Sequence, residues 1–174
     1  MIEYTNRPTP NRSLRGDVKA AAIVLHHTGG REAGDLAWLT NPTSGVSADF
    51  LINRDGVIYK LNPDLTIYYT YHAGISELDG CVQRNGSINI STIGIEMSHT
   101  IDQDWPDAQV EACAKLCWWL EASGKVTRHK IVSHREVAKP SGRKIDPKGF
   151  PWGVFSQLYE AAGFLQSRTD QDQK

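Results

Sequence analysis

Residues 134–147, with the sequence HREVAKPSGRKIDP, carry an imidazole, an ammonium group and a carboxylate on one irregular segment. His134 ends a predicted strand, where a rigid element fixes its position and the following loop leaves room for a substrate. The loop can bring Asp146 back beside His134, and an extended end would place Lys144 and Asp146 on the same side. These residue types indicate a loop that closes a metal site and places a cation beside it.

A second imidazole is available in the segment LHHT. Successive strand side chains point to opposite faces, so His26 shares a face with Val24, and His27 shares the other face with Leu25. At most one of these histidines can therefore enter a site on that strand. Two imidazoles and one carboxylate form a three-ligand zinc set with an open position, which is typical of a catalytic zinc site. Spacing alone does not show that this strand and residues 134–147 converge.

Glu96 lies in the segment TIGIEMSH, on a predicted strand whose other residues are mostly apolar. An unpaired carboxylate is costly to bury, so Glu96 should face a polar cleft or pair with a group such as an arginine. On local sequence alone, a solvated pair of charges at Arg143 and Lys144 is the more ordinary interpretation of Lys144. His99 and His129 are more typical of surface or hydrogen-bonded core histidines than of metal ligands.

The elements that must position these residues alternate between strands and helices. The segments with strand patterns are 21–28, 66–74, 91–99 and 130–134, and a hairpin is predicted at 47–61 around Asp55-Gly56, a dipeptide that favours a tight primed turn. The segments with helical patterns are 33–41, about 105–124 and 151–166. The predicted fold class is therefore α/β, a single domain with a central mixed β-sheet flanked by helices.

We expect an extended N-terminal arm at residues 1–18, the folded domain at 19–166 and a frayed tail at 167–174. Cys113 and Cys117 lie four residues apart on a predicted helix, and we expect them to pack as small apolar side chains.

The composition of the 174-residue chain is that of an ordinary compact domain. A formal net charge of −1 gives no electrostatic reason to expect a nucleic-acid partner. The first sustained apolar stretch, residues 20–25, is too short to span a bilayer, so membrane insertion is not expected. We expect a monomer that is cytoplasmic as synthesised, with export only by a route that this sequence does not encode.

At these residues the chain resembles the type-2 N-acetylmuramoyl-L-alanine amidase family. This group of zinc amidases includes phage endolysins, cytosolic muropeptide-recycling amidases and peptidoglycan recognition proteins. The matching segments follow the family's order from about residue 20 to 155: IVLHHTGG, VSADFLINRDGVIYKL, YHAG, STIGIEMSH and SHREVAKPSGRKIDP. HHT and RDG are unspecific alone, whereas the ordered set ending in GRKIDP is specific.

The resemblance implies a Zn²⁺ cofactor with His26, His134 and Asp146 as its ligands. It also implies that Glu96 is the catalytic carboxylate and Lys144 the catalytic lysine.

The resemblance further places His72, in YHAG, at the substrate groove. The chain departs from the family at Asp49, where His or Asn is frequent. Ala48 occupies the place of a tyrosine that some phage relatives use, which shifts the role of general base onto Glu96.

The implied activity is hydrolysis of the amide between N-acetylmuramic acid, or its anhydro form, and L-alanine of peptidoglycan stem peptides. Peptidoglycan or a soluble muropeptide would then be the partner, and an endolysin that acts on the cell wall after release is the expected role. The alternatives are a cytosolic amidase that recycles anhydro-muropeptides and a peptidoglycan-binding module without catalysis. A zinc amidohydrolase for an unrelated small amide is a further alternative.

Overall fold

The computed structural model describes residues 2–127 and 130–172, with side chains as far as residue 164, so that His129 lies outside the described residues. The strands in these ranges are β1 (Thr5–Asn6), β2 (Arg12–Leu14), β3 (Ala22–His27), β4 (Phe50–Ile52), β5 (Ile58–Lys60), β6 (Tyr68–Thr70), β7 (Thr92–Met97) and β8 (Ile131–Ser133). The helices are α1 (Glu32–Thr40), α2 (Asp107–Ala122), α3 (His134–Val137) and α4 (Trp152–Asp172), with a 3₁₀ turn at Asn89–Ser91.

Six of these strands form the central sheet, in the order β1-β5-β4-β7-β3-β8. The four strands from β4 to β8 in this order run parallel to one another. β5 runs antiparallel to β4, and β1 runs parallel to β5. β2 and β6 form a separate antiparallel pair. A mixed sheet with helices against it confirms the predicted fold class.

The two faces of the sheet bury different residues, as strand alternation predicts. On one face, Ile23 and Leu25 of β3 pack in a cluster that includes the buried side of α2 and Phe155 of α4. On the other face, Val24 packs in a second, smaller cluster. His26 shares this second face with Val24. A polar site built on β3 must therefore lie on the side of the sheet away from α2 and α4.

Two local expectations have different outcomes. Cys113 and Cys117 are fully buried in the cluster against α2, which confirms their expected packing role. β4 and β5 do form a hairpin, but a primed turn of type I′ needs positive φ at both central residues. Gly56 has φ +85°, whereas Asp55 does not have a positive φ, so the predicted turn type is wrong.

The N-terminal segment takes part in both sheets, because β1 pairs with β5 and β2 pairs with β6. At the other end, α4 continues to Asp172, into the segment predicted as a frayed tail. The division of the chain at residues 19 and 166 stays a prediction. Within the described ranges, no helix is both long and apolar enough to cross a bilayer.

Candidate active site

The predicted site residues gather at the carboxyl ends of the parallel strands. His26, near the end of β3, lies opposite Glu96 of β7 in the strand register. His134 follows β8 directly, and β8 pairs with the other edge of β3. Parallel strands present their carboxyl ends at one edge of the sheet, where side chains from several strands can meet. This topology supplies the convergence that spacing alone could not show.

Asp146 returns to the sheet and lies between the two histidines. Its Oδ2 is 2.9 Å from His134 Nδ1 and 3.3 Å from His26 Nδ1. One ligand atom from each of the three residues lies within 4.8 Å of the other two, and all three residues are buried. Among the described residues, this is the one cluster of histidine, cysteine and carboxylate side chains that could hold a metal ion.

The nitrogen lone pairs in this cluster are arranged so that they could bind a cation. His134 Nε2 donates its proton to the carbonyl of Ala73 at 3.0 Å, so a neutral His134 has a lone pair at Nδ1, facing Asp146. His26 Nδ1 is buried and has no hydrogen-bond partner. Burial lowers the pKa of His26 to about 4, so its ring is neutral at pH 7. Lone pairs that face one another without a proton between them fit a zinc ion, which binds neutral imidazole and ionised carboxylate.

Asp146 is held in the form that a metal requires. Burial alone would raise the pKa of its carboxyl group, but positive charge and a donated proton on the Nδ1 side of His134 or His26, when either ring is protonated, outweigh burial and lower that pKa. A carboxylate that stays ionised in a buried site needs positive charge nearby.

The segment after β8 begins as a helix instead of the irregular loop that was predicted. Ser133 accepts a hydrogen bond from Glu136 N, and the Glu136 carboxylate accepts one from Ser133 N at 2.7 Å. This reciprocal pair is a capping box, and its sequence signature, Ser-x-x-Glu, is visible in SHRE. At the far end, Arg135 N donates to the carbonyl of Asp146 at 2.9 Å, which ties the returning segment to α3.

Glu96 faces a cavity of about 500 Å³ that His134, Lys144 and Asp146 also line. Its Oε2 is buried without a hydrogen-bond partner, although the residue as a whole is half-buried. Burial raises the pKa of Glu96 to about 8, and the negative charges of Asp146 and Asp35 act in the same direction. The positive charge of Lys144 acts in the opposite direction. A carboxyl group with a pKa near the working pH can both take up and release a proton.

One residue at the cavity was missed by the sequence analysis. Asp35 of α1 is buried, lines the cavity and accepts a hydrogen bond from the Thr28 hydroxyl at 2.9 Å. A signal was available, because Asp35 and Leu39 are four residues apart and share the buried side of α1. A carboxylate on the apolar side of a helix needs a polar environment there.

His72 lies beneath the cluster, on the segment after β6. Its Nδ1 is 3.0 Å from His26 Nε2, and its Nε2 is 3.1 Å from the Thr92 hydroxyl. The ring packs directly on Gly94, where an added Cβ would lie 2.4 Å from His72 Cγ. His72 lines the cavity but is largely buried, and its predicted contact with substrate stays a prediction.

His27 is outside the ligand cluster. Its ring lies 5.8 Å from that of His99 and 6.4 Å from that of Trp105, and its Nδ1 accepts a hydrogen bond from Lys148 N at 3.3 Å. His99 stacks on Trp105 with ring centroids 3.8 Å apart and is a buried core histidine.

Asp49, the departure from the family pattern, has a structural explanation. Its Oδ2 accepts from Gly94 N at 2.8 Å and its Oδ1 from the Asn62 amide at 2.6 Å. Burial raises the pKa of Asp49, while the positive charge of the buried Arg15 opposes that rise. The side chain thus links β7 to the segment after β5 and is stabilised by a buried cation.

Comparisons with known proteins agree with this geometry. A profile of the family described as N-acetylmuramoyl-L-alanine amidase matches residues 16–149, most of the chain, and includes every predicted site residue. The 1,6-anhydro-N-acetylmuramyl-L-alanine amidase AmpD of Salmonella typhimurium (strain SL1344) is 26% identical over 178 residues, with 91% of each chain covered. The crystal structure of a selenomethionine derivative of AmpD is similar with a TM-score of 0.74 at 26% identity, covering 91% of this chain and 95% of that one. A mutant endolysin from Bacillus subtilis is similar with a TM-score of 0.62 at 25% identity, covering 91% and 99%.

Proposed function

Because the chain belongs to the N-acetylmuramoyl-L-alanine amidase family, we propose that it hydrolyses the amide between the lactyl group of N-acetylmuramic acid and L-alanine of a peptidoglycan stem peptide. Family membership confirms the predicted family and enzyme class. The observation that supports catalysis in this particular chain is the buried lone-pair cluster of His26, His134 and Asp146 next to a protonatable Glu96.

The donor set favours zinc as the cofactor. Two imidazole nitrogens and one carboxylate oxygen, with a fourth position free for water or substrate, are the ligands of many catalytic zinc sites. When bound, zinc supplies Lewis-acid chemistry, polarising a carbonyl oxygen and lowering the pKa of water. His26, His134 and Asp146 would hold it.

Glu96 is the proton carrier in this proposal. It takes a proton from the attacking water as the new C–O bond forms at the lactyl carbonyl carbon. It then delivers that proton to the alanine nitrogen as the C–N bond breaks, because an amine anion is a poor leaving group. The positive charge of Lys144 lowers the pKa of Glu96 and so favours the ionised form that the first step needs.

Lys144 and His72 have supporting roles in the proposal. Lys144 lines the cavity and donates to the carbonyl oxygen as negative charge develops there; one such donor is commonly worth about 3 kcal/mol of transition-state stabilisation. His72 lines the same cavity and is 8% exposed, so a substrate contact would involve the small part of the residue that is accessible.

Glu96→Gln tests the catalytic assignment. The variant should keep zinc but lose turnover by at least about 100-fold, since a positioned general base typically contributes that much. Turnover is measured by incubating purified protein with muropeptides and detecting the released stem peptide by mass spectrometry. The matched control is Glu111→Gln, a half-exposed glutamate of α2 paired with Lys115, which should behave as wild type. Near-normal turnover in Glu96→Gln would remove Glu96 from the mechanism.

The same assay separates the alternatives. A binding module would retain muropeptides without releasing free peptide, and an amidohydrolase for an unrelated amide would bind zinc but leave muropeptides intact. Activity on intact sacculi compared with soluble anhydro-muropeptides distinguishes the expected endolysin role from a recycling role. The endolysin role and the monomeric state stay predictions.

A further inference from the structure

We infer that His72 is a positioning residue that fixes the tautomer of His26, so that the Nδ1 lone pair of His26 faces the metal position. The consequence of this tautomer for metal binding rests on the function proposed above. A chain of four hydrogen-bonding groups runs from a main-chain carbonyl to the ligand cluster: Ile88 O, Thr92 Oγ1, His72 and His26.

The direction of each hydrogen bond in this chain is determined by its first member. A carbonyl oxygen can only accept, and Thr92 Oγ1 lies 2.9 Å from Ile88 O, so the single hydroxyl proton is used there. Thr92 can then only accept from His72 Nε2, at 3.1 Å, and His72 must carry its proton on Nε2.

The remaining nitrogen of His72 faces His26. One proton must lie between His72 Nδ1 and His26 Nε2, which are 3.0 Å apart. If His72 supplied it, the ring would be a doubly protonated imidazolium, buried against Gly94 and beside two other histidines. Burying such a charge is costly. His26 therefore carries the proton on Nε2, and its Nδ1 is left with a lone pair towards Asp146 and His134.

This arrangement has a consequence for metal affinity. A free neutral histidine exchanges between two tautomers, and only the one with a lone pair at Nδ1 can bind a metal from this position. Partners that fix a ligating imidazole typically change metal affinity by about 10 to 100-fold. His72 differs from an ordinary partner because its own tautomer is set in turn by Thr92.

The glycine under the ring offers an independent perturbation. A Cβ at position 94 would lie 2.4 to 2.8 Å from three ring atoms of His72, so Gly94→Ala should displace His72 without removing any hydrogen-bonding group. In a His72→Ala background the added methyl group meets no ring, so the two substitutions should not add.

The primary test reads the tautomer in the absence of metal. Long-range ¹H–¹⁵N NMR spectra of chelator-treated protein at pH 7 should show His26 with its proton on Nε2. In His72→Ala the His26 signal should move towards a mixture of tautomers. Thr92→Val, which removes the acceptor for His72 Nε2–H, should shift the same signal. Thr40→Val is the matched control, because the Thr40 hydroxyl contacts only carbonyl oxygens of α1.

The second test measures zinc affinity by chelator competition. We expect His72→Ala and Gly94→Ala each to weaken zinc binding about 10 to 100-fold, and the double variant to bind no more weakly than His72→Ala. His72→Gln retains an acceptor for His26 and a donor for Thr92 and should remain within about threefold of wild type. The matched control is His99→Ala, which removes another buried histidine that has no place in the chain of hydrogen bonds.

These outcomes judge the inference separately from the amidase assignment. A wild-type His26 with its proton on Nδ1, or an unchanged His26 tautomer in both His72→Ala and Thr92→Val, would overturn it. If wild-type protein failed to bind zinc, the proposed cofactor would fall, while the tautomer spectra would still decide the role of His72. If His72→Ala did not fold, Gly94→Ala and Thr92→Val would carry the test alone.

Discussion

In the metal-free protein, the stability of Glu96→Gln relative to wild type should increase as the pH rises. In the unfolded chain a glutamate ionises near 4.5, whereas burial keeps Glu96 protonated to about 8 in the folded protein. Between these values the folded state binds more protons than the unfolded state, so wild-type stability falls as pH rises. The contribution of Glu96 to the free energy of unfolding is fully present below pH 4.5 and is lost as the pH rises to about 8. Glutamine stays neutral and avoids this loss.

The expected size follows from the gap between the two pKa values. Each pH unit of difference is worth about 1.4 kcal/mol, so the gap from 4.5 to about 8 corresponds to an upper limit of about 5 kcal/mol. Glu96 lies at the wall of a water-accessible cavity, and an effective dielectric constant of about 20 is appropriate for such sites. We therefore expect the stability difference between Glu96→Gln and wild type to increase by about 2 to 3 kcal/mol from pH 5 to pH 8.

The assay is urea unfolding at several pH values in the presence of a chelator, with the free energy of unfolding extrapolated to water. Comparing the two proteins at each pH cancels the titration of all other groups, and any constant cost of burying the amide appears as an offset. Glu111→Gln, at a half-exposed position, should show no such trend. A stability difference for Glu96→Gln that stays flat between pH 5 and pH 8 would refute the claim that burial controls this carboxyl group.

Four further substitutions test other parts of the site. Asp146→Ala should abolish stoichiometric zinc binding, measured by elemental analysis after dialysis. His27→Ala should retain the metal, because His27 lies outside the ligand cluster. Zinc loss in His27→Ala with zinc retained in Asp146→Ala would mean that the ligands were wrongly assigned. Lys144→Met should lower kcat/KM about 100-fold with zinc content unchanged, and an unaltered kcat/KM would exclude Lys144 from oxyanion stabilisation. Asp49→Ala should lower the free energy of unfolding in urea by about 3 kcal/mol, because it leaves the buried donors Gly94 N and Asn62 Nδ2 without their acceptor and removes the negative charge that interacts with the buried Arg15. A loss below about 1 kcal/mol would contradict that role.

The parts of the site that lie on strands could be predicted from the sequence. Alternation along β3 separated His26 from His27, and alternation along β7 placed Glu96 opposite the apolar face. Both follow from a period of two that local sequence determines. The helix at His134 was missed although its capping box was visible, because the glycine and prolines further along the segment favoured an irregular loop.

The contacts between distant segments could not be predicted in the same way. His26 and His72 are 46 residues apart, and Asp49 and Gly94 are 45 apart, so no local pattern links them. Asp49 illustrates the difficulty. Its residue type suggested an unexplained departure from the family pattern, whereas its carboxylate accepts hydrogen bonds from Gly94 N and from the side-chain amide of Asn62. Only the order of strands in the sheet reveals which residues become neighbours.

The charges around the cavity connect the metal proposal with the behaviour of Glu96. Asp35, Glu96 and Asp146 bring three carboxyl groups to one cavity, and Lys144 is the ammonium group among them, while His26 is neutral at pH 7. Burial is the main reason why Glu96, whose Oε2 has no hydrogen bond, retains its proton, and the negative charges of Asp146 and Asp35 add to that effect. That is the physical reason why the pKa of Glu96 rises to about 8. A divalent cation in the ligand cluster would add positive charge close to Glu96, so the group that is protonated in the metal-free protein would become available as a base when the cofactor binds.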